Sequence, residues 1–172
     1  LHNATMEDLK LYDLTREDAL AEEVSKLTEI STDSIFIHSG SSDVIKTIMT
    51  IVLNKDDTVL ISNPAWNYYK SVCELRHAKA AYYNVVPGKD AYEFDIKSLM
   101  SEAKKTKPRI IVITTPHNPT GAVISRNDLE KVIKENPTAL VIVDEAYLGL
   151  STVTYDAKYL LNAYNNVVFC RT

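Results

Sequence analysis

Two runs, 108–116 (PRIIVITTP) and 138–146 (TALVIVDEA), are continuously apolar and rich in β-branched residues. A strand of this kind has no polar face to turn to solvent, so it must be covered on both sides. Between them lies 125–136 (SRNDLEKVIKEN), whose apolar residues recur at helical spacing behind a capping serine, Ser125. The same alternation runs through most of the chain. Strands are predicted over 33–40, 57–64, 78–86, 108–116, 138–146 and 166–172. Helices are predicted over 16–30, 41–53, 65–77, 94–105, 125–136 and 155–164, with Ser and Asp available as caps at the start of 41–53 and Asp95 near the start of 94–105. This is the pattern of an α/β protein with a mostly parallel sheet and helices on both faces, a three-layer α/β/α arrangement. No repeat, low-complexity tract or long linker interrupts it, so residues 1–172 are read as one domain. The last predicted strand stops at Thr172 without a following turn or helix, and the chain is therefore expected to be a piece of a longer protein.

The remaining classes are narrowed by charge and composition. A formal net charge of −4 and a pI near 5.6 argue against a general nucleic-acid surface. No basic run marks a membrane-surface patch, and no apolar stretch reaches the ~18 residues of a membrane span. Cys73 and Cys170 sit in no CxxC and have no histidine at metal-ligand spacing, so they are read as free thiols of a reducing cytoplasm, with no metal site.

In an open α/β sheet, ligands bind beyond the carboxyl ends of the strands. Those ends deliver SGSSD, NPAW, PHNPTG, DEAY and RT. SGSSD places a glycine turn and two hydroxyls at a helix start, which suits a phosphate and equally suits simple capping. Trp66, the single tryptophan, is either a core aromatic or a platform for a flat ring. Asp144 directly follows three apolar β-branched residues, where an acid is costly unless paired. It reads as a cap or salt bridge, or as a carboxylate facing a cation. Tyr147, three residues on, brings a phenol to the same rim. Tyr68 and Tyr69 read as pocket-lining or as packing residues.

The stretches NPAWNYYKSV, TTPHNPTGAVIS and VIVDEAYLGL, in that order and with SGSSD upstream, resemble the large domain of fold-type I pyridoxal-phosphate aminotransferases of class I/II. The histidinol-phosphate and aspartate/aromatic branches are the most similar, and the resemblance runs over nearly all of residues 12–172. It implies pyridoxal 5′-phosphate as cofactor, an amino acid or histidinol-phosphate-like amine and a 2-oxo acid as substrates, and a homodimer. It also implies a role for each matching residue. Asn118 and Tyr147 would bond the ring hydroxylate, with the Asn118–Pro119 bond often cis in relatives. Asp144 would pair with the ring nitrogen. Trp66 would stack on the ring, and Ser41 and Ser42 would hold the phosphate. Tyr12 would reach the neighbouring subunit's phosphate. A carboxylate ~4 Å from a cation contributes about 4 kcal/mol at an effective dielectric near 20, or about three pKa units on the ring nitrogen. The Schiff-base lysine of the family falls beyond Thr172. The chain is thus expected to hold part of the cofactor-binding domain, to lack the catalytic lysine and the small C-terminal domain, and to be inactive alone. Lys131 and Lys158 are expected on flanking helices. Two other readings stand beside this one: a lyase or decarboxylase on the same fold, and a non-catalytic ligand-binding module. A dinucleotide-binding domain is disfavoured, because no GxGxxG follows a strand.

Overall fold

The computed structural model describes residues 15–172, which divide into two units between His38 and Ser39. In the first, helix α1 (Thr15–Thr28) is followed by a 3-10 turn at Thr32–Ser34. The strand predicted over 33–40 does not form. Ile35 is extended, yet residues 35–38 have no ladder partner, and Phe36 is 61% exposed. Alternating apolar residues favour extended backbone, but an unpaired strand leaves its backbone groups to water.

The second unit is the predicted α/β structure. Its elements are α2 (Ser41–Val52), β1 (Thr58–Asn63), α3 (Asn67–Leu75), β2 (Lys79–Pro87), β3 (Tyr92–Phe94), α4 (Ile96–Thr106), β4 (Ile110–Thr114), α5 (Arg126–Glu135), β5 (Leu140–Asp144), α6 (Ala157–Ala163) and β6 (Val167–Cys170). The strands form one sheet in the order β3-β2-β1-β4-β5-β6. All neighbours are parallel except β2 and β3, which pair as an antiparallel hairpin. Strand β3 is absent from the sequence reading: three residues carry too little periodicity to show, and Phe94 is in the strand, not in the following helix.

Period-two alternation sorts the core. Leu60, Ile111, Ile113, Val141 and Val143 face one side, against Leu99 of α4, Leu129 and Val132 of α5 and Leu160 of α6. Val59, Ile61, Ile110, Val112 and Ile142 face the other, against Ile45 and Met49 of α2 and Tyr69 and Val72 of α3. Two expected caps are made: Asp95 accepts from the Ser98 N–H at 2.9 Å and Ser125 from the Asp128 N–H at 3.0 Å. At α2 the cap position is Gly40, at φ +96°, and no side-chain cap bond forms. A left-handed φ of this kind is open to glycine at little cost, and it sets the turn by which the chain enters α2.

The chain leaves β1 toward β2 over one face and later returns from β4 toward β5 over the other. The order therefore reverses between neighbours β1 and β4, the switch point where such sheets open a crevice.

Candidate active site

Parity delivers the central group. Because Ile142 faces α2 and α3, Asp144 does too, and so does Thr114, its register partner on β4. Asp144 is 3% exposed. Its Oδ2 accepts a short hydrogen bond from the Tyr69 phenol, and its Oδ1 accepts from the Ala146 N–H at 3.1 Å. Tyr69 Oη also lies 2.8 Å from Thr114 Oγ1. Burial pushes the Asp144 carboxyl above its usual range, and the bonds from Tyr69 and Ala146 pull it part of the way back. Burial, and then the Asp144 charge, hold the Tyr69 phenol far above its ordinary value, so it remains a donor. Among the described residues no cationic side chain pairs with Asp144. The arrangement is a buried acid with two donors and no counter-charge, which favours a cation brought by a ligand.

One other predicted residue, Trp66, reaches this acid's partner Tyr69, and the rest lie at neighbouring element ends. Trp66 stands at the start of α3, 38% exposed. Its ring stacks on Tyr68 at 4.6 Å and meets the edge of Tyr69 at 5.6 Å. Asn118 Nδ2 donates to Tyr147 Oη at 3.4 Å, bringing together the amide and the phenol from the ends of β4 and β5. The Asn118–Pro119 bond is cis, as are Asn63–Pro64 and Thr115–Pro116. Gly121, at φ +74°, closes the turn by donating its N–H to His117 O at 2.7 Å. Ser41 and Ser42 occupy the first turn of α2, Ser41 buried and Ser42 exposed. Neither bonds to the Asp144 or Asn118 clusters. Tyr12 lies outside the described residues. Lys131 and Lys158 are exposed on α5 and α6, as expected. A concavity of about 350 Å³ lined by Asn63, Trp66, Lys70 and Tyr82 shares Trp66 with the site but does not include Asp144.

Three participants escape a reading of the sequence. Tyr69 had an aromatic's two readings, packing or pocket; its bond to an acid 75 residues away emerges only once the sheet order is known. His117 is buried, with Nε2 at 2.8 Å from Ser62 Oγ and Nδ1 at 2.8 Å from Thr120 Oγ1. Glu145, beside Asp144, is 1% exposed and accepts from Arg171 Nε at 2.6 Å, while its Oε1 has no hydrogen-bond partner among the described residues. Burial raises the Glu145 carboxyl and Arg171 opposes that rise. Cys73 and Cys170 are free and buried, and burial pushes their thiols up to about 11 and about 12.

The sequence matches the family described as aminotransferase class I and II over residues 3–172. The chain belongs to that family. Within it, a histidinol-phosphate aminotransferase of Methanococcus aeolicus is 35% identical over 154 residues, 89% of this chain and 41% of that protein. The chain thus spans about two-fifths of the length of that curated relative. Among solved structures, histidinol-phosphate aminotransferase from Sinorhizobium meliloti, in complex with pyridoxal-5′-phosphate, superposes with a TM-score of 0.86 at 18% identity. It covers 96% of this chain and 45% of its own. A PLP-bound C-S lyase from Staphylococcus hominis superposes at 0.76 with 21% identity, over 94% of this chain and 43% of its own. At these identities the two structures establish a shared aminotransferase-type fold.

Proposed function

We propose that the protein carrying this chain is a pyridoxal-phosphate-dependent aminotransferase. In this reading it moves an amino group between an amino acid, or a histidinol-phosphate-like amine, and a 2-oxo acid. The observation that carries the proposal is Asp144: a buried carboxylate with no cationic partner among the described residues, at the end of the strand that leads to Tyr147 and its bond with Asn118. The donor set fits the cofactor. Asp144 offers an acceptor to a protonated ring nitrogen, Asn118 and Tyr147 offer donors to a ring oxyanion, and Trp66 offers an exposed aromatic face. Ser41 and Ser42 offer hydroxyls at a helix start, where phosphate is favoured. The name of the Methanococcus relative supports the choice of reaction, and the large-domain assignment of residues 1–172 rests on the same resemblance. We extend the proposal to a cytoplasmic homodimer, with Tyr12 reaching across the subunit boundary. Its support is the resemblance and, for the compartment, two free cysteines. No described helix is long and apolar enough to cross a membrane.

Bound pyridoxal phosphate supplies an electron sink for the pair left when a substrate Cα–H bond is broken. What this chain's residues do is hold that sink in its most electron-demanding form. Asp144 keeps a proton on the ring nitrogen. Tyr69 and the Ala146 N–H fix the two carboxylate oxygens, so that the acid accepts along one direction. Asn118 and Tyr147 stabilise negative charge on the ring oxygen. Burial of Asp144 at the end of β5 keeps water from its carboxylate and strengthens the interactions made there.

The test is an assay of the full-length protein with pyridoxal phosphate, a panel of amine donors including histidinol phosphate, and 2-oxoglutarate. Glutamate formation matched one-to-one by donor consumption is expected. Ammonia or carbon dioxide release without an acceptor would instead make it a lyase or decarboxylase, and ligand binding without turnover would make it a binding module.

A further inference from the structure

Side chains bridge the strands at the switch point, and one of them belongs to His117, the residue before Asn118. The β1–β4 ladder has register pairs only at Val59–Ile110 and Leu60–Ile111. By contrast, β4 and β5 stay paired as far as Thr114–Asp144, and β1 and β2 as far as Asn63–Asn84. Beyond Leu60 and Ile111, therefore, β1 and β4 splay apart. Splayed strands expose backbone groups that must find other partners. Tyr83, on β2, donates its phenol to the Val112 carbonyl at 3.0 Å. Ser62, on β1, meets His117 Nε2.

His117 joins three segments. One ring nitrogen reaches Ser62 on β1 and the other reaches Thr120, within the turn that carries Asn118. The ring meets Phe94 of β3 edge-on at 5.8 Å. Its backbone completes the turn, with the N–H donating to Ala122 O at 2.8 Å and the carbonyl accepting from Gly121. Among the described residues Asn118 itself has a single side-chain hydrogen bond, the 3.4 Å contact to Tyr147, so little in these contacts fixes its direction. We infer that His117 is the positioning residue for Asn118: its imidazole braces the splayed ends of β1 and β4 and sets where the Asn118 amide points.

The inference rests on the proposed cofactor reading, and its experiment separates the two. Apparent dissociation constants for pyridoxal 5′-phosphate and for its 3-deoxy analogue, which lacks the ring hydroxyl, are measured in the full-length protein, its His117→Phe variant and its His117→Gln variant. His117→Phe keeps a ring but removes both hydrogen bonds; His117→Gln restores a polar group toward Ser62. In the unaltered protein the hydroxyl-bearing cofactor binds more tightly than the analogue. His117→Phe should erase most of that preference, a roughly tenfold loss for pyridoxal phosphate against less than twofold for the analogue, on the scale of one hydrogen bond. His117→Gln should recover part of it. If His117→Phe does not fold, Ser62→Ala, which removes one brace, carries the same comparison with a roughly threefold loss. Equal weakening of both ligands, or an unchanged preference, overturns the positioning role. Failure of the unaltered protein to bind either ligand overturns the cofactor reading itself.

Discussion

Asp144 and Glu145 are adjacent, both buried, and both raised in pKa by that burial, yet their surroundings are opposite. Glu145 has a cation, Arg171, which is half-exposed at the end of β6. Asp144 has a phenol and an amide and no cation among the described residues. A buried carboxylate with its own arginine is a structural ion pair. One without such a partner is tolerated only where another pressure keeps it, and in the proposed function a ligand cation is that pressure. Two acids side by side at one strand end thus differ in what satisfies them, an arginine for one and two neutral donors for the other, and the proposed function gives the second a ligand to hold.

The largest effect should come from Asp144→Asn. In the full-length protein, turnover should fall by roughly a hundredfold or more, the scale of a lost charge-stabilising group. In the same variant without cofactor, stability should rise by about 1 kcal/mol at neutral pH, because the amide still accepts from Tyr69 and the buried charge is gone. The sign follows from the raised carboxyl. Below its unfolded value of 3.8 the acid is protonated in both states and has no effect. The penalty accrues as pH rises through the native value. The stabilisation by Asn should therefore vanish in acid, which melting curves at pH 3.5 and pH 7 will show. Loss of activity with loss of stability would make Asp144 a structural residue like Glu145.

Arg171→Leu is the mirror experiment. It strands Glu145 without a counter-charge, and stability should fall by about 2 kcal/mol, less than for a wholly buried pair because Arg171 is partly solvated. Urea denaturation measures it, and Arg171→Leu with Glu145→Gln should recover much of the loss. Tyr69→Phe should cost about 1 kcal/mol at neutral pH. That cost should shrink on acidification, since the phenol chiefly stabilises the ionised Asp144. The smallest effect belongs to an exposed pair: Lys105→Ala, which breaks its contact to Glu102 at 3.2 Å, should change stability by less than about 0.5 kcal/mol.

The sequence makes some of this comparison legible and hides the rest. The runs around Val112 and Ile142 could only be two-sided strands, and that places Asn118 and Asp144 at the same edge before any coordinates are known. The caps at Asp95 and Ser125 are local, and local signals read well. Segment 33–40 shows the converse: alternation in Ile35 and Ile37 looks like a strand, but pairing is a tertiary event. The splay of β1 from β4 depends on which strands are neighbours, so the partners of Tyr83, Ser62 and His117 carry no signature along the chain. Arg171 reads only as the last charge before Thr172; that it neutralises Glu145 and leaves Asp144 alone follows from β6 lying beside β5.

The central claim, that Asp144 waits for a protonated ring nitrogen, is tested most directly by nitrogen NMR of pyridoxal phosphate labelled with ¹⁵N in the ring and bound to the full-length protein. With Asp144 present, the ring ¹⁵N shift should remain that of the protonated form up to pH 8, and Asp144→Asn should move it to the unprotonated position. A ring nitrogen already unprotonated in the unaltered protein at pH 7, or a shift unchanged by the substitution, would contradict the account.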